Sequence, residues 1–407
     1  MGEGADGLGE SHISLKSCVE QAVDARDALL RTLALNIHQH PELSFQEHQA
    51  MQWLVEPLAE AGFEIETGIA GLETAFRATW GPSDGPVIAL LAEYDALPEI
   101  GHACGHNLIG TAAVGAALAL RDACPDLPAR IAVIGTPAEE DGGGKIIMCN
   151  AGVFDDVDAA MLCHPRNITT VNRGSLACVD ATFKFYGRQA HASSAPEEGI
   201  SALDAVIQSF VAINALRQFF KSDVKIHGII TKGGSAPNVV PEFCEAKFIL
   251  RAITVEELAA VREKVYAAVR HSADAVGARC EIEEGLIYAE RNNNRALAAL
   301  FKENLVSLGL EVSDPPARAG LGSSDIGNVG QVTATIHPYI RIGDVSNHTP
   351  AFRDAAASEA GLTALNQAAK ALAMTAYDLA VNPQALQAVR EEFEQWRANK
   401  ASYAHTS

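Results

Sequence analysis

Positive charge is scarce in this chain. Lys and Arg number 31 against 51 Asp and Glu, which leaves a net charge of −20. So acidic a surface repels phosphate backbones and anionic lipids, so no nucleic-acid partner and no membrane-surface role are expected. Long apolar runs are also missing. LIGTAAVGAALAL (108–120) is the longest. It falls short of the roughly 20 residues that span a bilayer, and its Ala and Gly content reads as a buried helix. The opening MGEGADGLGESHIS has no basic stretch leading into an apolar core, so it is no secretory signal and reads as a loose tail. Cys18, Cys104, Cys124, Cys149, Cys163, Cys178, Cys244 and Cys280 are scattered through mostly apolar surroundings. They read as small buried thiols in a reducing compartment, and the expected location is cytoplasmic. There is no internal repeat and no low-complexity tract.

What is present is a large apolar fraction. Of 407 residues 48% are hydrophobic and 20% charged, which suits soluble cores too large for one ordinary domain. Residues 18–62 repeat apolar positions every three or four residues, with Pro41 as a break. PVIALLAEYDAL, ARIAVIGTP and DAAMLCHP then read as buried strands, separated by the helical patterns NLIGTAAVGAALALRD and GGKIIMCNAGVF. Buried strands alternating with helices predict an α/β fold with an open, mostly parallel sheet. Such sheets bind ligands beyond the carboxyl ends of their strands. Glu93 to Asp95, Glu139 with Glu140, and His164 all fall at such ends.

From about residue 176 the order becomes β-α-β-β-α-β, the ferredoxin-like arrangement. It predicts an inserted α+β domain at 176–289, splitting the first domain into 14–175 and 290–400. Beyond it, SDPPARAGLGSSDIGNVG reads as loop, VTATIHPYIRIG as one strand, and two helices close the chain.

The stretch GHACGHN (101–107) sets two histidines and a cysteine within five positions. A Cys104–His nucleophile, a structural zinc site, and a buried thiol beside polar loop histidines are three readings of it. Cysteine hydrolases usually draw their histidine from far away, and a structural zinc site wants four Cys or His ligands in paired spacing. The fourth reading is a catalytic metal site that takes its other ligands from elsewhere. TPAEEDGGGK supplies Glu139 and Glu140. Adjacent carboxylates at one buried strand end need a cation or a shared proton. If one binds metal, its neighbour can serve as general base toward the activated water. His164 in MLCHP and His348 in SNHTPAF are each ambiguous alone. With Cys104, His106 and Glu140 they make a donor set for two adjacent divalent ions, with one group bridging.

AEYDALPEIGHACGHN, TPAEEDGGGK, LCHP, GRQAHASSAP and SNHTPAF together resemble the dinuclear metallopeptidases of the M20 family, which include aminoacylases, carboxypeptidases and dipeptidases. The likeness spans nearly the whole chain in the expected order. It is strongest to the branch with Cys in the first metal motif, similar to aminobenzoyl-glutamate hydrolase and β-alanyl-lysine dipeptidase-like proteins. The resemblance implies hydrolysis of the amide bond of N-acyl amino acids or dipeptides. It implies two divalent metal ions per subunit, zinc first, with manganese, cobalt or nickel as alternatives. It implies a homodimer formed through the inserted lid and dimerisation domain, with higher assembly open. Glu139 is then the general base, Cys104 the bridging thiolate, and His106, Glu140, His164 and His348 further ligands. Asp95 supports the first metal motif from behind its ligand. His191 stabilises the oxyanion in the partner subunit's site, while Asn238 and Arg251 match positions that contact substrate. Where many members carry a ligand histidine this chain has Glu93, which is not expected to ligate. His102 ranks behind His106 as a competing ligand. The rival from another class is a non-catalytic dimeric relative that binds or regulates.

Overall fold

A computed structural model describes residues 6–314 and 322–404. The chain divides into two compact units, and the second, Ser175–Arg291 with Gly322 and Ser323, interrupts the first.

The first unit opens with α1 (Asp6–Ala25), α2 (Asp27–Gln39) and α3 (His48–Glu60). The loose tail expected at the start is therefore helical from Asp6; residues 1–5 of it lie outside the described residues. Next come β1 (Glu64–Thr67), β2 (Phe76–Trp80), β3 (Val87–Ala92), α4 (His106–Ala123), β4 (Arg130–Gly135), α5 (Gly144–Asn150), β5 (Ala159–Met161) and β6 (His164–Arg166). A six-stranded sheet runs in the order β1-β2-β4-β3-β5, ending on β11 (Ala334–Ile336). Strands β4, β3, β5 and β11 are parallel, while β1 and β2 run antiparallel at the edge. All six residues of β3 are buried, as befits a central strand covered on both faces.

Helix α4 is buried from His106 to Leu120. Its small residues allow this. A Cβ on Gly110 would meet the Glu93 carbonyl oxygen at 2.8 Å, so glycine lets the helix lie directly against the end of β3.

Three expectations need correction here. DAAMLCHP is not one strand. The chain leaves the main sheet after Met161, and His164 opens β6, which pairs in parallel with β12 (Tyr339–Arg341) in a separate ribbon. VTATIHPYIRIG splits likewise into β11 and β12, with His337 and Pro338 between them. The segment read as loop also contains a helix, α9 (Ile326–Val332), while residues 315–321 of it lie outside the described residues. Helices α8 (Arg295–Ser307), α10 (Pro350–Ala356), α11 (Glu359–Val381) and α12 (Pro383–Ala404) complete this unit. Helix α10 is capped by Thr349, whose hydroxyl accepts the Phe352 N–H.

The second unit is β7 (Ala177–Tyr186), α6 (Ala202–Leu216), β8 (Lys225–Lys232), β9 (Phe243–Ala252), α7 (Val255–Ala275) and β10 (Arg279–Glu284). Its antiparallel sheet runs β10-β7-β9-β8. Alternation in β9 sends Cys244, Ala246, Phe248 and Leu250 into a core shared with α6 and α7. The helices start cleanly because Ser201 and Thr254 cap them.

Candidate metal centre

Two adjacent parallel strands, β3 and β4, end in acidic residues: Glu93 and Asp95 after one, Glu139 and Glu140 after the other. Helix α4 starts beside them. Its N-cap, Gly105, has φ 80°, and a Cβ there would strike Pro165 at 2.4 Å. Only glycine brings the helix start this close to β6, and with it Cys104 and His106 close to His164.

Asp95 is buried and fixes His106. His106 Nδ1 lies 2.9 Å from Asp95 Oδ1. A carboxylate only accepts, so Nδ1 carries the hydrogen and Nε2 presents its lone pair. That Nε2 lies 3.6 Å from Glu93, 3.9 Å from Glu139 and 3.8 Å from Glu140, with no hydrogen-bond partner. Asp95 is itself held by the Glu140 N–H (2.9 Å) and the Ser44 hydroxyl (3.1 Å). Burial works against its charge, but His106, the Glu140 N–H and the charge of Lys145 hold its carboxyl down at about 2.

Cys104 Sγ lies 3.4 Å from His164 Nε2. His164 Nδ1 donates to the Pro165 carbonyl at 2.7 Å, which orients the ring. Glu140 Oε1 is buried without a hydrogen-bond partner, 3.5 Å from His348 Nε2. The half-exposed His348 has φ 59° and donates its backbone N–H to the Ala103 carbonyl at 2.9 Å. Ala138, just before Glu139, has φ 60°. Left-handed backbone at non-glycine residues is costly and gathers where a site demands it.

Three sets of donor atoms each lie within 4.8 Å of one another: Cys104, His106 and His164; Cys104, Glu140 and His348; His106, Glu139 and Glu140. Cys104, His106 and Glu140 each belong to two of them, so the three sets form one continuous cluster. Buried Nε2 and carboxylate oxygens without partners, a soft sulfur and imidazoles suit divalent ions of the zinc type. The donor set therefore fits a pair of metals. A fourth set, Glu93, Glu139 and Asp325, already holds a cation. Lys145 Nζ, fully buried, is 2.8 Å from both Glu93 Oε1 and Asp325 Oδ1.

Electrostatics separate the two neighbouring glutamates. Burial raises Glu139, and the charges of Glu93 and Glu140 push it further, well above the ordinary carboxylate range. Glu140 suffers the same burial, but His348 and His106 bring it below that range. One carboxylate is thus suited to hold a proton and the other to stay ionised.

His102 lies outside these donor sets; its ring sits against His38, 6.2 Å between centroids. His191, Asn238 and Arg251 belong to the second unit. His191 is exposed, and Ser193 donates its N–H to His191 Nδ1 at 3.3 Å. The Asn238 carbonyl accepts the Ala192 N–H, and Arg251 Nη1 donates to Ser323 Oγ at 2.7 Å. Glu47, Lys145, Asp325 and His337 are buried at or beside the centre and were not singled out from the sequence. Lys145 follows the glycines of TPAEEDGGGK, and a buried lysine has no local signature.

A family model described as a peptidase dimerisation domain matches residues 173–276. Over 399 residues the chain is 40% identical to a protein named Xaa-Arg dipeptidase from Mus musculus, covering 93% of this chain and 92% of that one. It is 35% identical over 268 residues to a p-aminobenzoyl-glutamate hydrolase chain of Escherichia coli, covering 61% of this chain and 56% of the relative. Among solved structures, a Bacillus subtilis protein described as a dinuclear metal binding peptidase of the M20 family superposes with TM-score 0.67 at 24% identity, over 87% of this chain and 99% of the other. With the Cys104–His106–Glu140–His164–His348 cluster described, the near full-length likeness to the mouse protein means that this chain belongs to the M20 family and is a metal-dependent hydrolase of amide bonds.

Proposed function

We propose that the chain cleaves N-acyl amino acids or dipeptides at a centre for two divalent ions, zinc first among manganese, cobalt and nickel. Cys104, His106, Glu140, His164 and His348 would hold the ions, with Cys104 as the shared ligand, and Glu139 is the general base. The observation that carries this reading is the convergence of these donors, with His106 Nε2 and Glu140 Oε1 buried and without hydrogen-bond partners. Bound there, such ions polarise a carbonyl and lower the pKa of water from about 15.7 towards about 7.

The protein's own groups do the rest. Asp95 keeps His106 in the tautomer that offers Nε2. Glu139, set among the donor atoms beside Glu140 and His106, accepts a proton from the attacking water and delivers it to the departing amine. His191 is assigned as the donor that steadies the oxyanion in the partner subunit's site. Asn238 and Arg251 are assigned to substrate, although Arg251 already donates to Ser323.

A homodimer through the second unit agrees with the dimerisation-domain match and with exposed Ile207, Val211, Ile229 and Ile230 on α6 and β8. A cytoplasmic setting agrees with eight free cysteines. No helix among the described residues is long and apolar enough to cross a membrane.

Elemental analysis joined to a panel of acyl amino acids tests the reading. Glu139→Ala should abolish hydrolysis and keep the metal, and Glu140→Ala should lose metal. The reverse pattern would exchange the two roles. Metal without turnover on every amide would favour the non-catalytic rival.

A further inference from the structure

Two arginines stand opposite each other one step beyond His164. In the β6–β12 ribbon His164 pairs with Tyr339 and Arg166 with Arg341. Side chains two residues apart on a strand share a face. His164, Tyr339, Arg166 and Arg341 therefore share one face, with the arginines about 6.5 Å further along. Ring contacts agree. The Tyr339 ring is 5.5 Å from the His164 ring, and the Arg166 guanidinium lies 5.0 Å from the Tyr339 centroid. The stack thus runs from Arg166 through Tyr339 to His164 and on to Cys104.

Like charges set directly opposite in a sheet oppose each other. A chain with 20 excess negative charges has carboxylates to spare. Yet among the described residues neither Arg166 nor Arg341 has a carboxylate within ion-pair distance, whereas Arg26, Arg31, Arg77, Arg262 and Arg390 each have one.

We propose that Arg166 and Arg341 form the seat for a carboxylate of the substrate's leaving amino acid. The inference rests on the amidohydrolase reading above. A guanidinium fork matches a carboxylate in two parallel hydrogen bonds. The α-carboxylate of an N-acyl amino acid lies only three bonds from the scissile carbonyl carbon, which suits a seat one ribbon step from a ligand. The predicted substrate is therefore an anion, and blocking its carboxylate as a carboxamide removes the recognition.

The test compares KM for N-acetyl-leucine and N-acetyl-leucinamide in the wild type, Arg166→Gln, Arg166→Lys and the Arg166→Gln/Arg341→Gln pair. Wild type should prefer the acid at least tenfold in KM. Arg166→Gln should raise KM for the acid about tenfold, with kcat changed less than threefold and KM for the amide unchanged. Arg166→Lys should recover part of the loss. N-acetyl-glutamate α-amide separates sources: if only it suffers, the seat takes the side-chain carboxylate. An acid-to-amide ratio equal in wild type and the double variant overturns the proposal. Calorimetric binding of N-acetyl-leucine to metal-loaded Glu139→Gln, with and without Arg166→Gln, reads the seat without turnover. If wild type hydrolyses no amide the amidohydrolase reading fails, whereas equal binding in that calorimetric pair fails the seat alone.

Discussion

Glu47 Oε1 accepts the backbone N–H of Ala138 at 2.9 Å, and Ala138 is the left-handed residue directly before Glu139. The other oxygen of Glu47 takes the Thr74 hydroxyl at 2.8 Å. Burial, with the nearby charge of Asp95, raises this carboxyl to about 7. Glu47 thus brackets the turn that presents the proposed base. Glu47→Ala would leave the Ala138 N–H buried and unpaired, at a cost of about 1–3 kcal/mol. It should lower kcat at least tenfold, leave KM nearly unchanged and keep the metal. Glu47→Gln retains an acceptor towards Ala138 and should be milder. Steady-state kinetics with elemental analysis check both; a Glu47→Ala enzyme with wild-type kcat would remove the bracket.

Lys145 is buried between Glu93 and Asp325. Its charge is opposed by burial and upheld by those two partners. Lys145→Met would leave Glu93, Asp325 and Glu139 grouped around no ammonium. Breaking a buried pair from one side costs about 3–5 kcal/mol. Urea unfolding of the metal-stripped protein should show a loss of that size, and the added Asp325→Asn should return part of it. A loss below about 1 kcal/mol would mean that the pair is not the internal counter-ion described here.

The main sheet was legible because β3 and β4 are continuous apolar runs, and their acidic ends marked where a ligand would bind. The ferredoxin-like order was legible because period-2 strands alternated with clean helical periods capped by Ser201 and Thr254. The part of α1 before Cys18 was missed because its opening Gly, Asp and Ser show no apolar period. Helix α9 was missed because it is seven residues long and contains two glycines. The break after Met161 was hidden by Leu162 and Cys163, which continue the apolar run without pairing in the main sheet. Glu47, Lys145 and Asp325 carry no local pattern, since their meaning lies in partners 91, 180 and 180 positions away.

Cys104 offers a direct choice between chemistries. Burial, reinforced by the charge of Glu140, raises its thiol far above the ordinary range, so without a cation it is a poor nucleophile. Cys18 is the exposed thiol. With metal bound, iodoacetamide should label Cys18 before Cys104 and leave activity intact, while a chelator should abolish activity until metal is returned. Mass mapping of the labelled peptides checks the order. Inactivation by alkylation with indifference to chelators would favour a cysteine nucleophile.

The second unit leaves apolar side chains in solvent where a core would hide them. Val211 on α6 is 58% exposed, and Ile229 on β8 is 65% exposed. Strand β8 is also the edge of its sheet, so its outer hydrogen-bonding groups are open to another strand. An edge carrying Ile229 and Ile230, and a helix carrying Ile207 and Val211, are poorly defended against pairing, which is what a dimer interface requires. Val211→Asp with Ile229→Lys should therefore convert a particle of twice 43.0 kDa into one of 43.0 kDa in light scattering. Both side chains point to solvent in the single chain, so the monomer should keep its melting temperature within a few degrees. If His191 serves the partner subunit's site, the monomer must also lose turnover while retaining its metal. A monomer as active as the wild type would place the oxyanion donor within one chain, and an unchanged mass would move the interface elsewhere.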